Sequence, residues 1–160
     1  MLYNKKLLFV SSNISSTQTG GGVCSLRNLD MCRRILGEEN VELYALKAFS
    51  FTGGTLITKL IFILKALLKL FCGYSNGSTQ KTDKEIVRIA KEGKFDFVFI
   101  DSSLNGHLVK SLNLEATGQV ICFFHNCERS MVIGQWKTGN ILSIIRPVSY
   151  THLRAHETGR

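Results

Sequence analysis

Short apolar runs separated by polar and glycine-rich breaks set the elements of this chain. Leu7–Val10 and Val120–Phe124 contain no polar residue at all. Such runs suit strands buried on both faces, as in a parallel sheet. Val41–Leu46 and Phe95–Ile100 read as two further strands. Between them the apolar period changes. From Val23 onward Leu26, Leu29, Cys32, Ile35 and Leu36 recur at helical spacing, with Arg27, Asp30, Arg33 and Arg34 between them. Gly37 supplies a helix stop. Thr82 and Glu85 form a capping-box pattern for a helix through about Lys91, and Leu104–Leu112 reads as another helix. Strands and helices in alternation predict an α/β fold, a Rossmann-like, doubly wound parallel sheet flanked by helices.

One segment stands outside this alternation. Leu56–Cys72 is apolar but carries Lys59, Lys65 and Lys69, and it is too short and too charged for a comfortable transmembrane span. On a helical wheel Thr58, Lys65 and Lys69 share one side, while Leu60, Leu64, Leu67, Leu68 and Phe71 fill a broad opposite face. That is the pattern of a basic amphipathic helix at a membrane surface. A core helix whose lysine stems cover apolar surface fits the same pattern.

The chain of 160 residues has 44% hydrophobic and 20% charged residues and one proline, which excludes a disordered composition. The final stretch, Val148 to Thr158, reads as the translation of a transposase adapter used in short-read sequencing libraries. Residues 147–160 are therefore expected to be an artefactual tail, and residues 1–146 the native domain. His152 and His156 drop out of any site with it. Residues 148–160 hold two Arg and one Glu, so without them 18 basic face 11 acidic side chains. The formal charge falls only from +8 to +7. The basic bias suits nucleic acid, anionic lipid or phosphorylated substrates. Cysteines 24, 32, 72, 122 and 127 form no CxxC pair and read as small buried thiols. Met1 to Lys6 runs straight into a strand with no signal-peptide pattern, so a reducing, cytoplasmic setting is expected.

Three polar breaks converge on one edge of a parallel sheet. Gly20, Gly21 and Gly22 precede a helix, where missing Cβ atoms and unpaired N–H groups admit a phosphate closely. A flexible strand-to-helix turn explains them equally. The dinucleotide fingerprint is poor, because nine residues separate the first strand from Gly20 and Ser25 stands where the third glycine belongs. Asp101 and Ser103 close the third strand, and helix capping would account for both. His125 and Asn126 close the fourth. A hydrogen-bonded structural histidine would explain His125 alone, whereas three loops on one edge point to a ligand cleft.

KKLLFVSS, TGGGVCSLRN, FDFVFIDSSLNGHLVKSL and VICFFHNCE, in this order, resemble the N-terminal half of a GT-B glycosyltransferase of the family 4 type, as used in bacterial surface and capsular polysaccharide assembly. The resemblance runs from Lys5 to Ile145. It implies that Gly20–Gly22 lie near the donor diphosphate and acceptor, and that His125 is a catalytic residue facing the acceptor. Asp101, Ser103 and Asn126 would join them in substrate binding. Cys127 departs from the small apolar residue expected between Asn126 and Glu128. The resemblance further implies membrane contact through Lys59, Lys65 and Lys69, a sugar or lipid-linked acceptor, and a peripheral location on the inner face of the cell membrane. No metal or other cofactor is expected. The nucleotide-sugar donor is a substrate, bound by a second domain for which nothing after Arg146 supplies residues, so the chain alone is expected to be inactive.

Two other readings remain open on the residues. One is a nucleotide- or dinucleotide-binding Rossmann domain of another enzyme. The other is a non-enzymatic membrane-surface module. Nucleic-acid binding lacks an aromatic-basic platform.

Overall fold

The computed structural model describes residues 4–12, 14, 20–47, 55, 57, 58, 60, 61, 64, 65, 68, 78–102, 105–115 and 118–123. Four strands, β1 (Leu7–Ser11), β2 (Val41–Ala45), β3 (Phe97–Ile100) and β4 (Gln119–Cys122), alternate with helices α1 (Gly20–Leu36), α2 (Gln80–Glu92) and α3 (Gly106–Glu115). All neighbouring strands are parallel and lie in the order β2-β1-β3-β4. This is the Rossmann-like α/β arrangement expected from the apolar runs.

The sheet sorts its side chains by the period of two. Leu7 and Phe9 face α1, where Leu29, Cys32 and Leu36 cover them. Leu8 and Val10 face the other way, against Ile86 and Ala90 of α2 and Leu108 and Leu112 of α3. Every residue of β1 is buried, which matches its unbroken apolar run. Full burial of such side chains contributes about 1.5–3 kcal/mol each. Phe9 stacks on Phe99 at 5.0 Å between ring centroids, and Phe99 on Phe123 at 6.1 Å. β4 differs from expectation. Its residues alternate exposed and half-buried, with Ile121 37% exposed, so it is not covered on both faces. Its described pairing is to β3 alone, on the outer side of the four strands.

Boundaries moved where local chemistry outweighed pattern. The α2 cap is Thr79, whose side chain accepts from Thr82 N while the Thr82 side chain accepts from Thr79 N. The box therefore starts three residues before the Thr82–Glu85 pattern. Gly37 ends α1 at φ 94°, a left-handed conformation that favours glycine. Gly118 is required for a different reason: a Cβ there would stand 2.5 Å from the Phe95 carbonyl oxygen. At the amino edge Asp96 accepts from Lys5 Nζ at 2.6 Å and Lys6 N at 2.9 Å, while its carbonyl accepts from Gln119 N at 2.8 Å. One residue thus ties together the starts of β1, β3 and β4.

Candidate functional site

The connections of this sheet diverge between β1 and β3. The β1–β2 crossover carries α1 on one face, and the crossovers into β3 and β4 carry α2 and α3 on the other. In open α/β sheets such a switch point leaves a crevice outside the carboxyl ends of the strands. Here those ends are Ser11-Ser12 and Asp101-Ser102, all four buried.

Asp101 is fully buried, and a buried carboxylate has to be hydrogen-bonded. Ser11 Oγ donates to its Oδ2 at 3.0 Å, and Asn28 Nδ2 donates to its Oδ1 at 3.1 Å. Both oxygens are thus engaged from within the fold, one by the neighbouring strand and one by α1. The side chain fixes the carboxyl ends of β1 and β3 and the adjoining face of α1 relative to one another. Close by, burial pushes the Cys32 thiol up from its ordinary value, and the charge of Asp101 adds to this.

Asn28 is absent from the sequence-based set of site residues, yet it carried a signal. The buried stripe of α1 runs through Ser25, Asn28, Leu29, Cys32 and Leu36, at helical spacing. Ile35, assigned to that stripe by pattern, is 50% exposed. Two polar residues in phase with the apolar stripe mark the end of the helix that meets the polar sheet edge. Ser25 Oγ donates back to the Gly21 carbonyl at 2.9 Å.

The glycine triplet is not a loop. Gly20, Gly21 and Gly22 form the first residues of α1, three before the expected start at Val23. The helix opens at the carboxyl edge of the sheet, where first-turn N–H groups suit an anion.

Beside Asp101 two buried polar side chains have no partner. Ser12 Oγ lacks one, and so do both Oδ1 and Nδ2 of Asn105, a residue only 2% exposed. Ser12 directly follows β1 and Asn105 directly precedes α3, so both belong to the same carboxyl edge. Cys122 at the end of β4 donates its thiol to the Ser102 carbonyl at 3.4 Å.

Ser103, His125 and Asn126 lie outside the described residues, as do Lys59, Lys69, Cys72, Cys127 and residues 124–160. The chain is described up to Phe123, whose N–H donates to the Ile100 carbonyl at 2.9 Å. Of the lysines expected at a membrane, Lys65 is described, helical and exposed. Ile57, Leu60, Ile61, Leu64 and Leu68 are helical too and 47–69% exposed, at spacings that place them on one face. Among the described residues no helix is long and apolar enough to cross a membrane. No group of three His, Cys, Asp or Glu among them could hold a metal ion.

A separate groove of about 440 Å³ runs between α2 and α3, lined by Gln80, Asp83, Lys84, Arg88, Ser111 and Glu115 among others. Lys91 and Glu115 pair across it at 3.1 Å. Burial pushes the Asp83 carboxyl up from its ordinary value, against the Ser78 hydrogen bond at 2.6 Å and the charge of His107.

No family model, curated protein or solved structure matches the chain.

Proposed function

We propose that this chain is the acceptor-side domain of a nucleotide-sugar-dependent glycosyltransferase of cell-surface polysaccharide assembly, acting at the surface of an anionic membrane. The observation that supports it most is the β1–β3 switch point, where the glycine start of α1 and the Ser11–Asn28–Asp101 cluster share one sheet edge. A phosphate-bearing group suits the helix start, and a hydroxyl-bearing acceptor suits the polar strand ends.

In the proposed reaction an acceptor hydroxyl oxygen bonds to the anomeric carbon of the donor sugar. The bond from that carbon to the diphosphate breaks, and the nucleoside diphosphate leaves with the electron pair. The hydroxyl proton leaves with the departing group or a nearby base. His125 faces the acceptor in this scheme, with Asn126 and Ser103 as further contacts. Asp101 is a positioning residue, because its oxygens are engaged within the fold. Gly20–Gly22 lie toward the diphosphate. On this reading a second domain supplies the donor pocket. The exposed stripe from Ile57 to Leu68, with lysines 59, 65 and 69, holds the domain against the membrane that carries a lipid-linked acceptor.

The experiment follows the coding sequence past codon 146. Continuation in frame into a second α/β domain, and nucleoside diphosphate release by the extended protein with a nucleotide sugar and acceptor, is the expected result. A stop codon at that point, or an extended protein inert with every nucleotide sugar tried, would overturn the reading.

A further inference from the structure

A buried amide with neither donor nor acceptor satisfied is costly. Each such group loses water without replacement, at about 1–3 kcal/mol. Asn105 carries both, in a residue 2% exposed, and Ser12 adds an unpartnered hydroxyl at 8% exposure. Other described groups of the edge are satisfied by comparison: the Asp101 oxygens accept from Ser11 and Asn28, and Ser102 takes the Cys122 thiol on its carbonyl. Three of the five orphaned buried side-chain atoms among the described residues thus lie at the carboxyl ends of β1 and β3, where the sheet topology puts the ligand crevice; the other two, Arg33 Nε and Asp83 Oδ2, lie on α1 and α2.

The donor and acceptor inventory narrows the ligand class. Asn105 Nδ2 needs an acceptor, Asn105 Oδ1 needs a donor, and Ser12 Oγ takes either. A carboxylate or a phosphodiester offers acceptors only, so it leaves Oδ1 unpaired, and the buried Asp101 carboxylate on the same edge repels any anion, inorganic phosphate included. An ammonium offers donors only and leaves Nδ2 unpaired. A hydroxyl offers both. Two adjacent hydroxyls on a neutral ring donate to Oδ1 and accept from Nδ2 at once.

We infer that Asn105 and Ser12 are specificity-determining contacts for a neutral, hydroxyl-bearing ligand face at the β1–β3 crevice. Any anionic part of that ligand lies away from them, toward the start of α1. The inference rests on the sugar-transfer proposal only for the identity of the ligand as a sugar. Both side chains are closed to bulk water in the free fold, so their engagement accompanies a local opening of the edge.

The test uses the 160-residue chain, ¹⁵N-labelled, with the Asn105 side-chain NH₂ signals assigned by their loss in Asn105→Leu. Methyl glucoside is expected to shift those signals in a saturable way, and inorganic phosphate is expected to leave them in place. Asn105→Leu and Ser12→Ala each weaken methyl glucoside binding about tenfold, read from backbone shifts. Removing an unsatisfied amide at no cost in hydrogen bonds also raises the melting temperature of Asn105→Leu, which a structural amide would not do. Unchanged sugar affinity in both variants, a lower melting temperature for Asn105→Leu, no response to methyl glucoside, or an equal response to phosphate would each overturn the inference. Binding that follows this pattern in a protein whose extended form transfers no sugar would leave it standing and remove the transfer proposal alone.

Discussion

Ser11 and Asp101 stand 90 positions apart in the chain, and Ser11 Oγ donates to Asp101 Oδ2 at 3.0 Å in the interior. With Asn28 Nδ2 on the other carboxylate oxygen, this contact joins β1, β3 and α1 at the edge where the site lies. Asp101→Ala removes the acceptor that Ser11 Oγ and Asn28 Nδ2 share in the interior. It is expected to cost about 2–4 kcal/mol in urea unfolding, with Ser11→Ala costing less, since only one donor is lost. A cost below about 0.5 kcal/mol for Asp101→Ala would mean the cluster is not a structural clamp.

The α2 start offers a milder test. Thr79 and Thr82 close a reciprocal cap, with Thr82 N donating to Thr79 Oγ1 at 3.2 Å and Thr79 N to Thr82 Oγ1 at 2.7 Å. Thr79→Ala is expected to destabilise by about 1 kcal/mol, and Thr79→Ser or Thr79→Asp to restore most of it. Equal loss in all three variants would point to side-chain packing instead.

The Asp83 carboxyl gives a pH signature. Burial raises its folded pKa above the unfolded value, so the protonated form is favoured on folding. The stability it contributes is fully present below the unfolded value of about 3.9 and is lost as pH rises through the folded pKa. Asp83→Asn stays neutral throughout and keeps an acceptor for Ser78. Its melting temperature relative to the parent is expected to improve between pH 3.5 and pH 7. A constant difference across that range would contradict the assignment.

The exposed stripe Ile57, Leu60, Ile61, Leu64 and Leu68 is expected to carry the chain onto vesicles. Sedimentation with phosphatidylglycerol vesicles should remove the protein from solution, and phosphatidylcholine vesicles should remove much less. Glutamate at positions 59, 65 and 69 should abolish the difference, at about 1 kcal/mol for each lysine lost. The double variant Leu60→Ser, Leu64→Ser should stay soluble with either lipid. Retention of binding by both variants would remove the membrane assignment.

Much of this fold was legible because burial imposes a period. β1 could be read from four consecutive apolar residues, and the whole strand is buried. The parallel pairing of the strands and the helical spacing of Leu29, Cys32 and Leu36 followed the same logic. What escaped was set by contacts between distant segments. Asn28 looked like an ordinary helix residue because its partner, Asp101, lies 73 positions away. Asp101 read equally as a cap or a cleft residue, because its contacts to Ser11 and Asn28 lie 90 and 73 positions away and leave no local trace. The Gly20–Gly22 triplet read as a loop since glycine disfavours helix, yet the structure begins α1 there. Asn105 gave no sign in the sequence, for an unsatisfied amide is defined only by the partners that fail to arrive. His125 and Asn126 fall outside the described residues.

His125 therefore carries the most direct test of the account. In the extended protein of the proposed function, nucleoside diphosphate release with saturating donor and acceptor is to be compared between the parent and His125→Ala. The account predicts a fall in kcat of at least about 10²-fold, the scale of a lost acid–base or positioning group, with the fold intact by circular dichroism. Unchanged kcat would contradict the claim that this sheet edge faces the acceptor.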